Sequence, residues 1–123
     1  MSSHRTIGLA CAASLLLGTA TCQSAPVHMN GPGAQDCSHY LSIRRSGNET
    51  LSAMYVSWAF GYISAYNVES GERGRPQVTL PADATILAYI DTFCTANPQY
   101  PASAAVANLV EELAGRPPRY PRR

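Results

Sequence analysis

Between Asn48 and Asn67 the apolar and small residues return at spacings of three and four: Leu51, Met54, Tyr55, Trp58, Tyr62 and Ala65. That period predicts a helix of roughly five turns with a wide apolar stripe. Asn48 is its expected N-cap, and Glu49 lies in the first turn, where a negative charge complements the helix dipole. The stretch Trp58-Ala59-Phe60-Gly61-Tyr62-Ile63 holds the single Trp and reads as the C-terminal half of a central core helix. A glycine within a helix costs about 1 kcal/mol relative to alanine. Gly61 is therefore expected where another helix or an aromatic ring crosses closely; the alternative is a glycine that the helix merely tolerates.

The same periodicity places three more helices. Cys37, Tyr40 and Leu41 share a face of a short first helix, with Asp36 as its cap and Ser46-Gly47 as its end. Ile86, Leu87, Ile90, Phe93 and Cys94 share a face of another, which starts near Pro81, carries Asp83 in its first turn and stops at Asn97-Pro98. Pro101 opens the last, with Val106, Leu109, Val110 and Leu113 as its stripe and Gly115 as its C-terminal cap. From Glu69 to Pro81 the period fails. Gly71, Gly74 and Pro76 predict a loop with Arg73 and Arg75 at its tip, and Gln77-Val78-Thr79-Leu80 reads as extended, because Pro81 holds Leu80 out of the helical region. Arg73 and Arg75 are the loop's candidate contacts with a partner; an ordinary solvated connection is the competing reading.

The ends of the chain have a different composition. A basic start, an uncharged Leu/Ala-rich stretch from Ile7 to Ala20 and small residues beyond it have the outline of a secretory signal peptide, taken as residues 1–25. The stretch is too short to span a bilayer comfortably. Cleavage after Ala20, Cys22 or Ala25 is open, and lipidation at Cys22 is the weaker alternative because Thr19-Ala20-Thr21 lacks the usual Leu before the cysteine. Residues 26–35, rich in Pro, Gly, Asn and Ala, read as a flexible leader, residues 36–115 as the helical domain, and residues 116–123 as a disordered basic tail of Pro and Arg.

What remains after cleavage is one domain of roughly 100 residues, small enough for a covalent staple to matter. Cys37 and Cys94 are the two cysteines clear of the leader, and in an oxidising compartment they read as a disulfide. With Arg5 gone the arginines and acids balance, and there is no Lys. Without a long basic patch interleaved with aromatics, the chain offers nothing to a nucleic acid.

Catalytic chemistry is hard to assemble from these residues. Asp36-Cys37-Ser38-His39 sets an acid, a thiol, a hydroxyl and an imidazole side by side, but neighbours on a helix diverge while a triad must converge. His28 and His39 offer no metal site, and Glu111-Glu112 reads as the solvated face of the last helix. Asn48-Glu49-Thr50 matches a glycosylation sequon, which helix capping explains equally well. No catalytic residue, metal or cofactor is expected, and the protein is read as a non-enzyme.

The ordered set Asp36-Cys37-Ser38-His39-Tyr40-Leu41, Trp58-Ala59-Phe60-Gly61-Tyr62-Ile63-Ser64, Tyr89-Ile90-Asp91-Thr92-Phe93-Cys94 and Asn97-Pro98, closed by an Ala-rich helix, resembles the HdeA/HdeB-like family of small periplasmic proteins. The resemblance covers about Asp36 to Ala114. It implies an all-α fold, a small four-helix, disulfide-clamped orthogonal bundle with one long extended loop, and Cys37 bonded to Cys94. It also implies ATP-independent chaperoning in the periplasm under acid stress. Leu51, Met54, Trp58, Gly61, Tyr62, Ile90 and Phe93 are then the core and client-binding candidates, and unfolded periplasmic proteins the partners, with a homodimer left open. Gly61-Tyr62-Ile63 and Asn97-Pro98 are also similar to the type VI secretion amidase-immunity (Tai-like) proteins, which implies a rigid inhibitor of one secreted peptidoglycan amidase. This chain lacks that family's second cysteine pair, and it departs from the well-studied acid chaperones in its long loop and its lack of Lys.

Overall fold

The computed structural model describes residues 27–121. A 3₁₀ turn, Pro32–Ala34, precedes four α-helices: α1 Cys37–Ser46, α2 Glu49–Glu72, α3 Asp83–Ala96 and α4 Ala102–Leu113. Among the described residues there is no β-strand, only one isolated antiparallel bridge between Asp36 and Pro101. The fold is the all-α, disulfide-clamped bundle that the periodicity predicts. The signal-peptide and Cys22 expectations lie outside the described residues.

The helix caps expected from the sequence at Asn48 and Gly47 form, and one does not. Asn48 Oδ1 accepts a hydrogen bond from the Leu51 N–H at 2.9 Å and starts α2, while Gly47 closes α1 in the left-handed conformation that glycine adopts without penalty (φ 69°). The exception is Asp36, whose side chain caps nothing. The orphan amides at the start of α1 must still find acceptors, and they find them across the molecule: Cys37 N–H donates to Tyr100 O at 2.8 Å and Ser38 N–H to Pro98 O at 3.1 Å. Ala102 N–H returns a bond to Gln35 O at 2.9 Å. Asn97, buried at this corner, turns its side-chain amide back to Phe93 O at 3.0 Å and ends α3.

The central element is α4, not α2. Every residue from Ala102 to Glu111 is buried, and the helix packs against α2, α3 and the 3₁₀ turn. Ala102, Ala104, Ala105 and Ala107 keep it slender enough for neighbours to approach on all sides. Tyr40 and Ile43 from α1, Tyr55, Val56, Ala59 and Ile63 from α2, and Ile86, Ile90 and Phe93 from α3 complete the core.

On α2 the buried face is rotated from the expected stripe. It runs Ser52, Tyr55, Val56, Ala59, Ile63, Ser70, about one residue further along the helical wheel, and leaves Leu51 and Met54 exposed at 37% and 50%. The buried face mixes small side chains, Ser52, Ala59 and Ser70, with the larger Tyr55, Val56 and Ile63. Gly61 is exposed, and a Cβ there would meet nothing within 4 Å. It is tolerated, and the close-packing role expected of it is overturned.

The bond between Cys37 and Cys94 ties the first turn of α1 to α3, with Cα atoms 4.8 Å apart and a sequence separation of 57. Closing a loop of that length restricts the unfolded chain by about 4 kcal/mol in the chain-entropy account.

Two segments expected to be loose are docked. In the leader, Asn30 O accepts the Trp58 indole N–H at 3.0 Å and Gly33 is buried against the indole ring. The tail turns back at Gly115 (φ 69°) and lies along α4. Composition marks both as poor formers of α-helix, and neither holds one, although the leader makes the 3₁₀ turn and each finds a partner surface.

Candidate functional site

The residues singled out from the sequence do not converge on one point. Cys37 and Cys94 are joined in the bridge, so the Cys37 thiol is spent. Ile90 and Phe93 lie in the core. Trp58 and Tyr62 are half-buried, ring against ring at 5.7 Å. Leu51 and Met54 open onto a shallow apolar groove of about 280 Å³, whose other walls are Gly31, Pro32, Gln35, His39, Ile43 and Tyr55. Trp58 is not among its walls, because the 3₁₀ turn roofs it.

Arg73 and Arg75 both reach Glu69, at 3.0 and 3.6 Å. Their connection is shorter than expected, because α2 continues through Gly71 to Glu72 and Gly74 (φ 63°) breaks it. Beyond it residues 75–82 are in neither helix nor strand. Asn67 donates its side-chain amide to Val78 O at 2.8 Å and accepts from Val78 N–H at 2.8 Å, so one side chain supplies both halves of a strand-like pairing and seats Val78 in the core.

Two carboxylates that sequence reasoning passed over organise the polar contacts. Asp91 on α3 takes a forked pair of hydrogen bonds from Arg44 on α1, Nε to Oδ1 and Nη2 to Oδ2, each 3.0 Å, and a third from the Tyr40 hydroxyl at 2.7 Å. Burial works against the Asp91 charge, but the donors from Arg44 and Tyr40 outweigh it and hold the carboxyl below its ordinary value. Burial first, and the Asp91 contact second, push the Tyr40 phenol well above its own.

Glu111 on α4 is the second. It is buried, at 4% exposure, yet what covers it is the tail: Arg116 Nε pairs with Oε2 and Arg119 Nε with Oε1. The expectation that Glu111 faces solvent is therefore corrected, while Glu112 is exposed. Hydrogen bonding from Arg116, against a smaller opposing effect of desolvation, holds the Glu111 carboxyl below its ordinary value.

One turn earlier, fully buried Asn108 grips the tail's backbone. Its Oδ1 accepts from Arg119 N–H and Tyr120 N–H, both at 2.9 Å, and its Nδ2 donates to Tyr120 O at 3.0 Å. Tyr120 stands edge-on to Tyr100 at 5.8 Å. The Arg116 guanidinium lies over the Tyr66 ring at 5.5 Å and donates to its hydroxyl at 3.0 Å. The signal for this site was an Asn and a Glu set in the otherwise apolar run of α4, upstream of regularly spaced arginines.

No set of three His, Cys, Asp or Glu gathers for a metal ion among the described residues, and no described helix is long and apolar enough to cross a membrane. Comparison with protein-family models, with curated proteins and with solved structures finds no match to this chain.

Proposed function

We propose that this chain is a non-enzymatic periplasmic protein that binds other proteins and loosens in acid, as its resemblance to the HdeA/HdeB-like family implies. The observation that carries the reading is that two of its tertiary ties, α1 to α3 and the tail to α4, run through carboxylates, Asp91 and Glu111, held ionised by arginines. Both carboxyls lie below their ordinary values. Their contribution to stability is therefore complete above the unfolded-state values and is lost as pH falls through the lower folded-state values. Acid removes both negative charges while every arginine keeps its own, so the ties dissolve and the chain repels itself. The disulfide holds the loosened helices together, and the apolar flank of α2 and the faces of α4 become available to unfolded clients. That bond suits the oxidising compartment this reading requires.

The test is a titration from pH 7 to about pH 2, following Trp58 emission and the aggregation of an acid-sensitive client. Loss of the native Trp58 environment below about pH 4, together with suppressed aggregation, supports the reading. An unchanged Trp58 signal throughout, with aggregation unaffected, removes it.

One observation favours the alternative of a periplasmic immunity protein. The 73–82 connection is pinned through Asn67, and its arginines are held by Glu69, which suits a preformed plug for the cleft of a secreted peptidoglycan amidase. Nanomolar inhibition of an amidase encoded beside this chain, weakened by Arg73→Glu, would establish it.

A further inference from the structure

The geometry points to a peptide-binding cleft on α4, built to take a segment of the form Arg-x-x-Arg-aromatic that bends at the second arginine, and filled in cis by the chain's own tail. The ligand it would take in trans is the same chemistry on another protein: a proline-rich, cationic stretch able to make that bend.

Each wall of the cleft reads a different property of such a segment. Asn108 makes three hydrogen bonds to the backbone of Arg119 and Tyr120, a recognition that requires the bend at those two residues and no particular side chain. Glu111 takes the two guanidiniums three residues apart, one on each carboxylate oxygen. Charge-assisted bonds of this kind are stronger than neutral ones and favour Arg for its planar fork. Tyr66 stacks on the first guanidinium and Tyr100 meets the aromatic ring. Asn108 and Glu111 are polar groups buried with the tail in place, so whatever covers them must replace the water it removes with hydrogen bonds. That is the condition of a receptor groove rather than of an apolar core face.

The tail behaves as a resident ligand. Pro117, Pro118 and Pro121 restrict its backbone, so ordering it costs little entropy, as for other proline-rich ligands. Only Ala114 and Gly115 separate α4 from Arg116, and so short a tether gives the tail an effective concentration of the order of millimolar or more at the cleft. A free segment must displace it or find it weakened. The inference concerns neutral pH and stands apart from the acid-loosening reading.

The experiment uses the full chain at pH 7 and a labelled synthetic peptide of residues 115–121, with helicity by circular dichroism as the check on folding. In the double variant Arg116→Ala/Arg119→Ala the peptide should bind at least tenfold more tightly than to the wild-type chain. Adding Asn108→Ala should abolish that gain, as should replacing both arginines of the peptide by Glu. In the wild-type chain, which needs no folding check, millimolar peptide should shift the Arg119 and Tyr120 backbone amide resonances towards disordered values. Equal binding to wild type and double variant, binding indifferent to Asn108 or to peptide charge, or unmoved amide resonances under saturating peptide would each overturn the proposal.

Discussion

Gly33 lies against the indole of Trp58 so closely that a Cβ on it would stand 2.2 Å from the ring carbon Cζ2. The contact explains why a leader of Pro, Gly and Asn stays docked: a glycine fits flat beneath the ring, and the ring N–H is satisfied by Asn30 O. Gly33→Ala should therefore lift the 3₁₀ turn or turn out the indole, at a cost of about 1–3 kcal/mol. A red shift of Trp58 emission with a lower urea midpoint checks it. Gly61→Ala on the open face should do the opposite and stabilise α2 by about 0.5–1 kcal/mol.

Reduction of the disulfide should be expensive in a domain of this size. The Cys37→Ser/Cys94→Ser chain should lose about 4 kcal/mol at neutral pH, most of the margin of a small domain. Thermal unfolding with and without a reductant, compared with the double variant, measures it.

Replacing Asp91 separates charge from shape. Asp91→Asn leaves the buried Tyr40 hydroxyl and the Arg44 guanidinium without a carboxylate and should lower stability at pH 7. The same change should flatten the fall in stability between about pH 5 and pH 2, because a group with a depressed native pKa no longer takes up its proton there. Urea titrations at intervals across that range distinguish the two effects, and Glu111→Gln should act in the same direction.

Asn67→Ala removes both bonds to Val78. At about 0.5–1.5 kcal/mol for each hydrogen bond, the 73–82 connection should open locally while the helices persist. Hydrogen exchange at the Val78 amide, faster by about tenfold or more, with unchanged protection in α4, is the expected record.

Much of the fold could be read from short-range signals. Asn48, Gly47, Gly115 and Asn97-Pro98 mark helix ends by chemistry that acts within a turn, and they mark them where the structure has them. The orientation of α2 was not legible, because Met54, Val56, Trp58, Phe60, Tyr62 and Ile63 surround the helix, and Ser52, Ala59 and Ser70, which lie on its buried face, carry little hydrophobic signal. The tail was misread for a related reason: Arg and Pro predict disorder until something buried accepts them, and Asn108 and Glu111 do so across a chain reversal. Asp36 illustrates the same limit at the scale of one cap, since its helix is closed by carbonyls some sixty residues away, at Pro98 and Tyr100.

Those carbonyls and the neighbouring disulfide lie side by side, so that α1, α2, the 73–82 connection and most of α3 form a closed ring whose neck is at once covalent and hydrogen-bonded. A single cut at the exposed Gly74-Arg75 bond would interrupt the ring without severing it. The nicked protein would travel as one particle, and only a reductant would release its halves, so the clamp makes the molecule tolerant of a protease that cuts in this connection.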